Sequence, residues 1–395
     1  MRVTLLAVLL STLMPGFVRA GTRPPLLWAV SDDTLSVPFG VLSDASIGWD
    51  GVVYLLDSQN LMVRRIDATG IELSPLGRGG EGPGELMHPI RLVARPDGGC
   101  VVLQDFHDPP ACLARDRTTC PPPNVDDMRD RHFMVSFFTA RMDSESRLIV
   151  AVLTTAMPGE STRSFEDMRS AWSIVRFGPS GQYPNKLFTN DPNPSDKSVV
   201  SFAGYGVSFI VRSWDVDPAG RLIYADPNGG NAVFIGHPAD GKSRKVELSE
   251  YEGDEDNLRR FAKSIGRPLS EVPRIAAVYS IMDGLFLVRP TACIHALDDI
   301  DGTEFEIVDY NGKSLGRHLL ECDYDSSTDN LFIDKGTLVV VKGGKAAVEA
   351  SIKQQASMMG LKLESKTKER DDDSSAGSDA IIVLAYDLVE PFSGH

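Results

Sequence analysis

A turn followed by a β-branched run recurs six times along the chain: WDGVVYLLD (49–57), PDGGCVVLQD (96–105), SESRLIVAVL (144–153), PAGRLIYAD (218–226), MDGLFLVR (282–289) and DKGTLVVVK (334–342). In each, Gly, Ser or Asp supplies turn chemistry ahead of residues rich in Val, Leu, Ile and Tyr, the grammar of a β-hairpin. A second unit comes after four of them, an alternating strand, a Gly turn and another strand. It reads LMVRRIDATGIEL (61–73), WSIVRFGPSGQYPNKLF (172–188), AVFIGHPADGKSRKVEL (232–248) and EFEIVDYNGKSLGRHLL (304–320), with Gly70, Gly181, Gly241 and Gly312 at equivalent turns. Two successive hairpins make a four-stranded antiparallel meander, the shape of one propeller blade. The six units predict an all-β, six-bladed β-propeller, with blades over roughly 40–76, 86–125, 133–189, 207–248, 273–321 and 328–389.

The sixth unit stops after its third strand, at 380–389, and a blade lacking its outer strand exposes an edge. The stretch LLWAVSDDTLSV (26–37) is expected to supply that strand and close the ring. Irregular spacing between units places insertions at 106–131, 155–170, 191–197, 249–273 and 344–379. Within 249–273, Asp254 reads as an N-cap, Leu258, Phe261, Ala262 and Ile265 come after it at helical spacing, and Gly266 and Pro268 end the run. Residues 345–363 read as a second inserted helix. The run KERDDDSSAGSD (368–379) is charged and apolar-poor, so 344–379 is expected to be partly disordered.

The stretch GHPADGKS (236–243) fits the phosphate-loop expression G-x-x-x-x-G-K-[ST]. That chemistry needs a strand before the loop and a helix after it, so that backbone N–H groups and the helix dipole meet the phosphates. The run SRKVEL (243–248) alternates like a strand instead, and Asp240 would repel a phosphate. Gly-Lys-Ser recurs at 312–314 without the upstream glycine, so the match reads as a hairpin turn.

At the N-terminus, Arg2, the apolar run Val3–Met14 and the small-x-small site Val18-Arg19-Ala20 read as a cleaved signal peptide over 1–20. The expected product is exported, to the periplasm or beyond the cell, with no membrane insertion after cleavage. The formal net charge of −15, made more negative by loss of Arg2 and Arg19, disfavours nucleic acid and anionic membrane surfaces as partners. No C-x-x-C spacing supports a thiolate metal site. Cys112–Cys120 and Cys293–Cys322 are the pairs expected to bridge in an oxidising compartment, leaving Cys100 over.

The segment GRGGEGPGELMHPIRLVARPDGGCVVLQD (77–105) resembles the signature of exported bacterial six-bladed β-propellers of the NHL-repeat-like group. In that group a Gly-rich connection ending in G-P-G-E-[FL] precedes an innermost strand and a D-x-x-G turn. The resemblance is close over the first two blades, fair over SWDVDPAGRLIYAD (213–226), and reduced to hydrophobic pattern elsewhere. It implies the propeller; the group has no single activity, so little function transfers with it. Six-bladed relatives include calcium-dependent lactonases and esterases and zinc lyases, all with ligands on innermost strands around the central channel.

Aligning the innermost strands on their turns sets Asp44, Arg91, Thr139, Ser213, Ala277 and Asn330 in equivalent positions. No ring of Glu, Asn and Asp emerges; a calcium site could draw only on Asp44 and Asn330. Of the histidines, His88 and His132 lie nearest the innermost strands, too few for a zinc lyase. The expected ligand site is therefore the channel mouth, lined by Asp44, Arg91 and Asn330 with His88 and His132 nearby. The expected function is a non-enzymatic, monomeric binding or interaction module for a protein, a peptide or a small anionic ligand. The alternative is a channel-centred, metal-assisted hydrolase or lyase.

If the GKS stretch is only a turn, Lys242→Ala will change stability by no more than about 0.5 kcal/mol. ATP will then leave the melting temperature of the wild type unmoved. ATP-dependent stabilisation that disappears in the variant would restore the phosphate-loop reading.

Overall fold

The computed structural model describes residues 20–104, 108, 110–114, 132–156, 170–177, 185–189, 200–201, 213–217, 220–226, 230–237, 242–250, 253–264, 266, 268–282, 284–291, 303–325, 328–344, 347 and 381–389. Their strands form six sheets. Blade 1 holds β3 (Leu42–Ile47), β4 (Val53–Asp57), β5 (Met62–Ile66) and β6 (Glu72–Leu76). Blade 2 holds β7 (Pro89–Ala94), β8 (Cys100–Gln104) and β9 (Ala111–Leu113). Blade 3 holds β10 (His132–Met142), β11 (Leu148–Ala156), β12 (Ser170–Arg176) and β13 (Asn185–Thr189), with β14 (Val200–Ser201) parallel to β13.

Blade 4 holds β15 (Trp214–Val216), β16 (Leu222–Ala225), β17 (Ala232–His237) and β18 (Lys242–Glu247). Blade 5 holds β19 (Ile275–Met282), β20 (Leu285–Pro290), β21 (Thr303–Asp309) and β22 (Ser314–Leu320). Blade 6 holds β23 (Asn330–Asp334), β24 (Thr337–Lys342), β25 (Ile382–Asp387) and, outermost, β2 (Leu26–Ser31). The innermost strands touch in a closed cycle, β3–β7–β10–β15–β19–β23–β3. The chain is thus a six-bladed β-propeller.

Carboxylates build the turns. Asp67 Oδ1 accepts the N–H groups of Thr69 and Ile71 at 2.9 and 3.0 Å, and Gly70 between them takes φ 87°. Asp143, Asp217 and Asp309 accept an N–H four residues on in the same way, from Arg147, Arg221 and Lys313. In the Asp143 turn the left-handed place is taken by Ser146, at φ 60°. Such Asp side chains substitute for a backbone turn partner. β18 leaves the GKS turn as a strand, pairing His237 with Lys242, so no helix N-terminus stands there. In the Gly-rich connection 77–84, Glu85 folds back onto the Gly82 N–H at 2.8 Å and onto Arg78, closing a tight loop on itself.

The core is a ring of inter-blade interfaces. Trp28, Leu55, Val341 and Val383 join blades 6 and 1; Tyr54, Leu56, Leu92 and Val102 join blades 1 and 2. Ala277, Leu287, Leu338 and Leu384 join blades 5 and 6. The expected closure by the N-terminal strand occurs, antiparallel to β25, from Leu26 opposite Tyr386 to Ser31 opposite Ile382. Just upstream, β1 (Ala20–Thr22) adds to the outer edge of blade 5, parallel to β22. The sequence carried no sign of that fifth strand: three residues are too short for an alternation signal.

The helix α1 (Asp254–Ser264) forms over the expected stretch, burying Leu258 and Ala262 against Val272. Asp254 is not its cap. It lies in the first turn and pairs bidentately with Arg317 of β22 at 2.8 and 2.9 Å, tying the insertion to blade 5. No helix of the described residues is long and apolar enough to cross a membrane. The helix expected over 345–363 and the run 368–379 lie outside the described residues. The Cys293–Cys322 bridge does not form: Cys322 is a buried thiol packed among the side chains between blades 5 and 6. Cys112 is disulfide-bonded, to a partner outside the described residues. Cys100 is also a buried thiol, which burial pushes up to about 12.

At Gly70 a Cβ would lie 2.8 Å from Trp28 Cβ, whereas at Gly316, also left-handed at φ 100°, nothing lies within 4 Å. Gly70→Ala and Gly316→Ala will share a backbone cost of about 1–2 kcal/mol. Gly70→Ala will cost about 1 kcal/mol more by urea unfolding, because it pushes the closing strand off blade 1. Equal costs would show that Trp28 is not seated on that turn.

Candidate functional site

Every innermost strand is an edge strand, and its channel-side N–H groups have no ladder partner. Side chains from the neighbouring blade supply the acceptors. Asp44 Oδ2 of blade 1 accepts the Leu92 N–H of blade 2 at 2.8 Å, and Ser46 Oγ accepts the Ala94 N–H at 3.0 Å. Asp215 of blade 4 accepts the Ser280 N–H of blade 5 at 2.7 Å. Asp334 of blade 6 accepts the Ile47 N–H and the Ser46 hydroxyl of blade 1, each at 2.9 Å.

These stitches surround a cavity of about 440 Å³ on the channel. Asp44, Arg91, Thr139, Arg141, Arg289 and Asn330 give it polar walls; Tyr279, Tyr324, Leu331 and Phe332 give it apolar ones. Arg141 is the hub of the charges. Its Nε donates to Asp215 Oδ1 at 2.6 Å, bridging blades 3 and 4, and its Nη1 donates to the Ala140 carbonyl at 2.9 Å. Lys335 Nζ donates to both oxygens of Asp334 at 3.0 Å and lies 4.2 Å from the centre of the Trp49 ring.

Burial pushes the Asp44 carboxyl above the ordinary range, against the pull of Arg91, the Leu92 N–H and Arg141. Burial likewise raises Asp215, opposed by Arg141 and the Ser280 N–H. Asp334 goes the other way: burial would raise it, but Lys335, Arg141 and the Ile47 N–H hold it below the usual value. Burial works against the Arg141 charge too, and Asp215, Asp334 and Asp44 together overcome it and raise its pKa. One guanidinium is shared by three carboxylates.

Of the expected site residues, the cavity brings together Asp44, Arg91 and Asn330. His88 is elsewhere: it is exposed and holds Asp108 at 2.8 Å within blade 2. His132 opens β10 seven residues before Thr139, roughly 23 Å away at ~3.3 Å per strand residue, and its side chain lies outside the described residues. The sequence reading missed Ser46, Arg141 and Asp215, which stand two residues beyond Asp44, Thr139 and Ser213 on the same strand faces. Period-two alternation could have found them, since residue i+2 shares the face of residue i. Arg289 was out of reach of that alignment because it lies on a second strand, β20, opposite Ala277.

Among the described residues no three His, Cys, Asp or Glu side chains converge as a metal-ligand group. Calcium also fails to fit at Asp44 and Asn330, because Arg91 and Arg141 already act on the Asp44 carboxylate and would repel a cation.

No family model and no curated protein matches the chain. Among solved structures it is similar to virginiamycin B lyase from Staphylococcus aureus, at 9% identity and a TM-score of 0.39, over 80% of this chain and 95% of that one. It is similar to a calcium-binding regucalcin from Agrobacterium tumefaciens at 11% and 0.42, over 93% and 96%. A gluconolactonase from Xanthomonas campestris gives 10% and 0.41, over 95% and 99%. At these values none of them carries a site or an activity over to this chain, whose propeller architecture stands on its own strand order.

Arg141→Leu leaves the buried Asp215 without its partner, and the half-buried Asp44 and Asp334 without one of their nearby cations, which costs about 3–5 kcal/mol near pH 7. Protonation sets the sign with pH. Asp44 and Asp215, already raised, favour the fold most when protonated and lose that contribution as pH rises through their folded pKa. Asp334 acts oppositely, losing its contribution as pH falls through its lowered pKa. Removing Arg141 raises all three, so the cost of the substitution will shrink as pH falls toward about 4.5. Urea midpoints at the two pH values test it; a pH-independent cost would show that Arg141 acts by packing alone.

Proposed function

We propose that the propeller is a ligand-binding module that holds a small anionic molecule in the central cavity. One observation carries the reading. The cavity carboxylates are already committed, Asp44 and Asp334 to backbone N–H groups of the next blade, while Arg91 and Arg289 also line the space. Charge-assisted hydrogen bonds from a guanidinium to a carboxylate are among the strongest available to a site of this kind. A volume near 440 Å³ falls within the ~300–1,000 Å³ of ordinary small-molecule pockets. The signal-like segment at 1–20 supports an exported protein, and the acidic surface supports one that stays monomeric and avoids nucleic acid. A metal-assisted hydrolase or lyase is less well supported, since among the described residues no three His, Cys, Asp or Glu side chains converge as a metal-ligand group.

Calorimetry of the wild type and of Arg91→Ala, against anionic metabolites, peptides and glycans, tests the reading. A ligand of the cavity will bind the variant about tenfold more weakly, a loss of ~1.4 kcal/mol. A ligand that binds both proteins equally would move the site off the channel, to the insertions at 106–131 and 249–273.

A further inference from the structure

Arg91 and Arg141 have carboxylates acting with them: Arg91 pulls on Asp44, and Arg141 is paired with Asp215. Arg289 differs. No ion pair joins it to any described residue, and its Nε is buried with no hydrogen-bond partner. A buried N–H left without an acceptor keeps its desolvation cost uncompensated, so such groups in folded proteins call for an explanation. The Nε–H belongs to one of the two edges through which a guanidinium grips a carboxylate bidentately. Arg289 also lines the cavity.

The cavity around it is not uniformly polar. Tyr279 and Tyr324 are buried, and Phe332 and Leu331 are half-buried, all of them lining the same space. Tyr279 is held edge-on against Phe305, with ring centroids 6.1 Å apart, which fixes its orientation. These side chains come from β19, β23 and the connection between blades 5 and 6, on the Arg289 side of the ring. A compact, fully hydrated anion would leave that apolar wall facing water. A carboxylate with an apolar body would satisfy Arg289 and cover the wall at once.

Resting on the reading that the cavity binds an anion, we infer that its ligand class is an amphiphilic monocarboxylate. The carboxylate sits on the guanidinium of Arg289, and an aryl or alkyl body lies against Tyr279, Tyr324 and Phe332. The count of uncompensated cations calls for a single charge: of the three cavity arginines, only Arg289 pairs with no carboxylate among the described residues, so a second anionic end would compete with Asp44 for Arg91. Asn330, on the same wall, offers a polar contact that leaves room for one neutral hydrogen-bonding group on the body.

Calorimetry with 4-phenylbutyrate, octanoate, acetate, succinate and inorganic phosphate, on the wild type, Arg289→Gln and Arg289→Lys, tests the inference. Thermal unfolding confirms that each variant is folded. The expected result is binding of 4-phenylbutyrate or octanoate at least tenfold tighter than acetate, succinate or phosphate. Arg289→Gln should lose at least tenfold for the amphiphilic acids, and Arg289→Lys should recover part of it. Should succinate or phosphate bind as tightly as the amphiphilic acids, with Arg91→Ala weakening them, the ligand class is wrong and the anion site survives. If amphiphilic acids bind all three proteins equally, Arg289 is not the anchor and the inference fails. If none of the five anions binds, the anion site fails with it.

Discussion

A propeller has to solve the problem of its innermost strands. Each is the free edge of a sheet, and six of them surround one channel. Backbone N–H groups in that position must find acceptors, because an unpaired one costs as much as a lost hydrogen bond. Here the acceptors are short side chains reaching from one blade to the next: Asp44 to Leu92, Ser46 to Ala94, Asp215 to Ser280, Asp334 to Ile47. The same contacts hold neighbouring blades in register. They also draw carboxylates into a confined space, and Arg141 and Lys335 stand there to balance them. Edge satisfaction, blade docking and the electrostatics of the cavity are therefore one problem with one solution.

That solution shapes what the cavity can recognise. A carboxylate occupied by an amide N–H and a guanidinium is a poor ligand for calcium, however well its position matches one. Arg289 on β20 takes no part in the stitching and keeps a buried Nε without an acceptor. Arg289 is thus left out of the contacts that hold the ring together, and the proposed ligand class rests on that.

Much of the architecture was legible because hairpins write locally. Gly70 and Gly312 mark turns whose φ demands them, and the Asp three residues earlier in each reads as the turn acceptor. The incomplete sixth unit pointed to residues 26–37 because an edge must be covered. The cavity was harder. Asp44, Arg91 and Asn330 could be placed by counting back from turns, but His88 could not, since only the fold shows it leaning outward to Asp108. Arg141 was overlooked two positions from Thr139, although strand alternation put it on the same face. Arg289 lies on a second strand that looks like any other Val-rich run, and nothing local distinguishes its arginine from a surface one. The role of Asp254 depended on Arg317, 63 residues away, which no local pattern reveals.

The closing strand also has a consequence in time. Asp32 accepts the N–H of Ile381, a partner 349 residues further along the chain. Synthesis from the N-terminal side therefore carries β2, with Trp28 and its unpaired edge, through the making of all the intervening blades before β25 exists to receive it. Contacts of such separation form late and slowly, since the loop they close must first be ordered. Until then blade 6 is short of a strand and the ring stays open. Any chain that stops before residue 382 would keep β2 as a sticky, unpartnered edge, so the β2–β25 seam registers whether every intervening blade has been made.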